Sequence, residues 1–214
     1  MSDYHDQIKR DWNARADAWN ASERPEFFDL YQQNESRFGN KVVDIGCGKG
    51  RYTKFLEDKG KQVVGIDISE EMLKGARAAG VQADLRQGIS SQLPFEDGSF
   101  DSAVSIGAIH HNMWVDIQKS FSEAARVLKP DSIFVFQGRS VKDTMSPRQQ
   151  VADYGYTAVD TEGDKRGIQH YFTLEELQEL ARQNDFEIEG EPKEILENRN
   201  GKVWARWWVI FKKK

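Results

Sequence analysis

The sequence holds a single cysteine, Cys47, so an intramolecular disulfide is impossible. No apolar run approaches the length that crosses a bilayer, and no membrane span is expected. Runs of Lys or Arg are missing before the terminal Lys212-Lys213-Lys214, and the net charge is −5. A nucleic-acid partner is therefore disfavoured, because phosphate binding draws on clustered cations. The first residues, Met1 to Asp6, are polar and lack the apolar core of a signal peptide. Internal repeats and low-complexity segments do not stand out. These absences point to a cytoplasmic globular chain, and 214 residues with 38% hydrophobic content suit one domain with a substantial core and a small appendage.

What is present is organised around Lys41-Val42-Val43-Asp44-Ile45-Gly46-Cys47-Gly48-Lys49-Gly50. An apolar strand runs into alternating glycines, and a helical pattern begins near Arg51. Such a joint lets a ligand lie against bare main chain at the positive end of a helix dipole. A dinucleotide fingerprint counted from Gly46 and Gly48 needs a third glycine at position 51, which is Arg, so the nicotinamide reading fails. No Gly-Lys-Ser/Thr closes a Walker loop.

Before this joint, Ile8, Trp12, Ala16 and Trp19 recur at helical spacing, and a second helical pattern follows Pro25 through Phe27, Phe28, Leu30, Tyr31 and Phe38. These aromatics either cap the sheet or form an arm, residues 1–40, that covers a cofactor cleft with Tyr4, Trp12 or Trp19 lining it. After the joint, strands are expected at 62–67, 81–85, 100–106 and 133–137, with helices between them, the second capped by Ser69 and the last broken before Pro130. The alternation argues for a parallel sheet with helices on both faces. From Gly138 to Tyr171 no periodicity persists, so a lid insertion is expected at about 139–172, carrying Met145, Pro147, Tyr154, Tyr156 and His170. Thr173-x-x-Glu176 reads as a capping box. Asn200-Gly201 reads as a hairpin turn, and Val203 to Phe211 is apolar on both faces except for Arg206. The final strand is expected inside the sheet.

Five stretches in order widen the reading: Asp44-x-Gly46-x-Gly48-x-Gly50, Val63 to Ser69 with Met72-Leu73, Leu93-Pro94-Phe95-x-x-Gly98-Ser99-Phe100-Asp101, Ala108-Ile109-His110-His111, and Ala125 to Pro130. The chain resembles the class I S-adenosylmethionine (SAM)-dependent methyltransferases, in particular the small-molecule, ubiquinone/menaquinone methyltransferase-like branch, over about residues 40 to 138. The resemblance implies an α/β Rossmann-like three-layer sandwich over 41–214, with a seven-stranded, mostly parallel sheet and an antiparallel C-terminal strand. It implies SAM as cofactor, S-adenosylhomocysteine as product, a small-molecule acceptor and no metal.

The resemblance also assigns residues. Gly46, Cys47, Gly48 and Gly50 form the loop under the methionyl portion, with Asp44 steadying it or reaching the ammonium through water. Asp67 accepts the ribose hydroxyls. Ile68, Met72 and Leu93 sandwich the adenine, and Ser105 lies beside the reacting end. Many relatives have an acid where Ile89 stands, so here Ser90 would supply the polar contact to adenine. His110 and His111 are candidate proton acceptors if the acceptor must lose a proton, with His170 as an alternative. Cys47 reads as packing. Two rivals stay open: a non-catalytic partner or sensor that binds SAM or its product, and a SAM-using enzyme that does not methylate. The sequence leaves monomer and homodimer equally open.

Overall fold

The computed structural model describes residues 3–18, 25–145, 148–151, 155–158 and 168–214, with side chains for 4–18, 28–145 and 168–214. Trp19, Phe27, Pro147 and Tyr154 lie outside the described side chains, and Tyr156 is described only in its backbone.

Helix α1 (Asp3–Arg15) and helix α2 (Pro25–Gln33) precede strand β1 (Lys41–Ile45). The chain then alternates through α3 (Arg51–Asp58), β2 (Gln62–Asp67), α4 (Glu70–Ala78), β3 (Asp84–Gln87), β4 (Phe100–Ile106), α5 (Trp114–Val127) and β5 (Leu128–Ser140). A small antiparallel sheet of β6 (Arg148–Val151), β7 (Gly155–Ala158) and β8 (Ile168–Gln169) follows, then β9 (Tyr171–Phe172) and α6 (Leu174–Gln183). Strands β10 (Phe186–Ile188), β11 (Lys193–Arg199) and β12 (Lys202–Lys213) end the chain.

The main sheet runs β10-β12-β5-β4-β1-β2-β3, with β9 beside β5 and β11 beside β12. Pairings from β3 to β5 are parallel, and β12 runs antiparallel to both β5 and β10. The seven-stranded, mostly parallel sheet with its inserted antiparallel strand is therefore present, enlarged by two accessory strands. The order in which strands are added to the sheet reverses between β1 and β4, which opens a crevice beyond their carboxyl ends. No helix among the described residues is long and apolar enough to cross a membrane.

Each face of the sheet has its own core. Ile117, Phe121, Leu177 and Leu180 of α5 and α6 pack on Val43, Phe134, Phe136 and Phe211. Tyr31 of α2 and Leu56 of α3 pack on Val42, Val104, Val135 and Trp208 on the other face. The second of these explains the α2 aromatics: Tyr31 is fully buried, with Phe38, Tyr52 and Phe55 around it. The third strand begins later than its apolar pattern suggests. Val81 is spent on packing beneath the glycine loop, where a Cβ on Gly50 would lie 2.7 Å from it, so pairing starts at Asp84. The capping box at Thr173 and Glu176 forms with both of its hydrogen bonds.

Candidate functional site

At the end of β1 the loop is tied to β2 before anything binds. The Gly46 and Cys47 amides both donate to the Ile66 carbonyl, at 2.7 and 3.1 Å. Gly46 has φ +78°, and a Cβ there would sit 2.1 Å from that of Ala108, so the loop after β4 presses directly on its backbone. Gly48 also has positive φ, +54°, but a Cβ there would meet nothing within 4 Å. One glycine is required by packing; the other leaves open space above the main chain. Gly50 is the N-cap of α3.

Asp67, at the tip of β2, fastens this loop to the next helix. One carboxylate oxygen accepts the Gly48 amide and the other the Ser69 amide, each at 2.8 Å. Burial pushes its pKa up to about 6 against those two hydrogen bonds. Asp44 lies behind the loop, buried, accepting from Thr53 Oγ1 at 2.6 Å. Burial, with the Asp67 charge adding to it and the Thr53 bond opposing it, raises the Asp44 pKa to about 7.

A cleft of about 680 Å³ opens over this loop. Gly46, Cys47, Gly48, Asp67, Ile68, Met72, Ile89, Ser90, His110 and His111 line it. Four expected residues do not. Asp44 and Gly50 stand behind or below the loop. Leu93 is core, its amide donating to Glu123 at 2.6 Å. Ser105 is buried with its hydroxyl donating to the Ile45 carbonyl at 2.9 Å, so it knits β4 to β1 instead. The Cys47 thiol is held protonated by burial and neighbouring carboxylates, consistent with packing.

Helix α1 supplies one wall through Ile8, Asp11, Trp12 and Arg15. It docks on the start of α4, where Asn13 Oδ1 accepts from Ser69 Oγ at 2.7 Å and from the Glu71 amide at 3.4 Å. Trp12 meets the His111 ring edge-on at 4.8 Å, and Tyr4 Oη donates to the His111 carbonyl at 3.3 Å. The His110 and His111 rings lie 4.2 Å apart, His110 almost wholly buried. His170 donates its amide to the His110 carbonyl at 2.7 Å, while its ring contacts Trp114 and Glu176 outside the cleft lining.

Among the cleft residues that had no part in the sequence reading of the site are Gln137 and Arg139 from β5 and Arg206 from β12. Arg206 carried a signal, as the one charge between Val203 and Phe211. Gln137 and Arg139 carried none.

The Methyltransferase domain family model matches residues 43–136. A protein of Encephalitozoon cuniculi named as a methyltransferase is 32% identical over 192 residues, with 86% of each chain covered. The chain belongs to the class I SAM-dependent methyltransferase family. An uncharacterized methyltransferase of Synechocystis is 40% identical over 96 residues, but this match spans only 45% of either chain. The crystal structure of a SAM-dependent methyltransferase from Methanosarcina mazei superposes with a TM-score of 0.71 at 28% identity, covering 86% of this chain and 98% of that one.

The cleft of this methyltransferase meets the needs of the family's cofactor, SAM. An ionised Asp67 spends two of its roughly four acceptor sites on Gly48 and Ser69, which leaves capacity for a vicinal diol. The open face of Gly48 admits a ligand against the backbone. Ile68, Met72 and Ile89 give an apolar slot, and the Ser90 hydroxyl, 2.8 Å from that of Ser120, is the polar group beside it.

Proposed function

We propose that this protein moves a methyl group from SAM to a small-molecule acceptor by in-line displacement. The observation that carries the reading is one continuous cleft, running from the Asp67 carboxylate across the glycine loop to His110, His111 and Gln137 under the roof of α1. Its volume of about 680 Å³ falls in the range of small-molecule sites.

SAM, when bound, supplies a methyl group on a sulfonium, already joined to an excellent leaving group. The chain is left with binding, alignment and exclusion of water. Asp67 holds the ribose hydroxyls, Gly46 to Gly48 the methionyl portion, and Ile68, Met72 and Ile89 the adenine, with Ser90 contributing the polar contact. Asp44, Gly50, Leu93 and Ser105 act one layer back by fixing the loop and strand ends. Of the expected arm, helix α1 covers the cleft, with Trp12 and Tyr4 closing it against His111, while α2 covers a face of the sheet. Arg139, at the end of β5 where the expected 139–172 insertion begins, borders the acceptor end. His110 or His111 takes the proton of an acceptor that must lose one.

Calorimetric titration with S-adenosylhomocysteine tests the cofactor half of the reading. Asp67→Asn should weaken binding by about 1.5–3 kcal/mol, roughly ten- to a hundredfold, because hydrogen bonds to a charged acceptor are lost. Unchanged affinity in a folded variant would remove Asp67 from the site.

A further inference from the structure

We infer that the acceptor end of the cleft, where Arg139 and Arg206 stand side by side, seats an anionic acceptor, one carrying a carboxylate or phosphate group away from the methylated atom. This rests on the methyl-transfer reading of the same cleft.

Arg139 and Arg206 are direct register partners on antiparallel β5 and β12, so their side chains leave the same face of the sheet next to each other. Both are nearly buried, at 5% and 2% exposure, and both line the cleft. Like charges opposite one another in a sheet are destabilising, and burial makes them more so. Among the described residues a carboxylate lies between them. Asp143, fully buried, pairs with Arg206 and with Arg139 at 3.4 Å while accepting the Ala205 and Met145 amides. The Tyr171 ring lies 5.5 Å from the Arg139 guanidinium and the Trp204 ring 4.7 Å from that of Arg206. Both guanidiniums are therefore oriented by partners. Each is a five-donor fork, and the two share Asp143 as a carboxylate partner.

A wall made only for stability would be apolar, as Trp204 and Trp208 beside it are. Preset, desolvated guanidiniums facing a cleft are instead suited to a planar or tetrahedral oxyanion, held bidentately. The cofactor's own carboxylate is a poor occupant. Strands β5 and β12 lie two and three places from β1, about 10 and 14 Å at the usual strand spacing, and Lys49 in the glycine loop and Arg51 just after it also line the cleft.

The test is titration of the full chain, saturated with S-adenosylhomocysteine, with benzoate, phenyl phosphate and their neutral counterpart benzamide. Benzoate or phenyl phosphate should bind at least about tenfold more tightly than benzamide, and whichever of the two does so names the anion. Arg139→Gln should erase that preference and Arg139→Lys restore part of it, with S-adenosylhomocysteine affinity unchanged in both. Equal binding of all three probes, or binding of none, by a protein that still takes the cofactor product would overturn the anionic acceptor and leave the methyltransferase reading standing. A parallel loss of cofactor-product affinity in Arg139→Gln would overturn it too, by assigning the pair to the cofactor. Failure of the native chain to bind the cofactor product would bring down both readings. If Arg139→Gln does not fold, the three-probe comparison on the native chain decides alone.

Discussion

At the residue scale, Gly46 and Gly48 look alike in sequence and differ in what they must avoid. Gly46→Ala places a methyl group 2.1 Å from the Ala108 Cβ at φ +78°. Overpacking and left-handed backbone together should cost about 2–5 kcal/mol, read as a fall in melting temperature of roughly 5–15 °C. Gly48→Ala meets no protein atom, so only the backbone term of about 1–2 kcal/mol applies to folding. Its larger effect should be on S-adenosylhomocysteine affinity, because the new methyl group occupies space above the loop. A melting curve and a titration on each variant check the pair; equal stability losses would mean that packing, not ligand access, explains both glycines.

At the element scale, α1 is held to the domain in part by polar contacts that the sequence does not flag. Asn13 is the clearest, bridging to Ser69 and Glu71 where α4 begins. Ser69 also caps α4, its hydroxyl accepting the Met72 amide at 3.1 Å, so the same side chain orders both helices. Asn13→Ala should leave the α4 cap in place, loosen α1, and weaken S-adenosylhomocysteine binding by about 1 kcal/mol, roughly fivefold. Amide exchange should rise over 3–15 and stay low over 70–78. Undiminished affinity with a loosened helix would mean that α1 takes no part in retaining the cofactor.

At the scale of the whole molecule, two raised carboxylates make stability depend on pH in an unusual direction. Asp44 and Asp67 have folded pKa values of about 7 and about 6, above the 3.8 of the unfolded chain. Between those values the native state binds more protons than the unfolded one, so their contribution to unfolding free energy rises as pH falls. Above about pH 7 both are ionised in either state, and the native state bears the full cost of two buried charges. Melting temperature should therefore gain more from lowering the pH from 8 to 5 in the native protein than in an Asp44→Asn/Asp67→Asn double variant. Cofactor binding should run the other way, weakening below about pH 6 as Asp67 gains a proton. Matching pH profiles for the native and double-variant proteins would show that neither carboxylate carries the shift.

The sequence by itself determined the alternating strands and helices, the glycine loop, the acid at the tip of β2 and the cofactor, because each is written in residues close along the chain. Periodicity, caps and glycines act over a few residues, so Ser69, Thr173 and Gly46 to Gly50 were legible in order. Only the tertiary structure decided that Leu93 and Ser105 serve the core while Gln137, Arg139 and Arg206 reach the cleft. Arg139 and Arg206 meet only because β12 inserts beside β5, bringing together residues 67 positions apart. His110, His111 and His170 come together for a similar reason, the His170 amide donating to the His110 carbonyl. Sheet order, not local pattern, sets which side chains share a wall, and the end of the cleft at Gln137, Arg139 and Arg206 is built from such long-range neighbours.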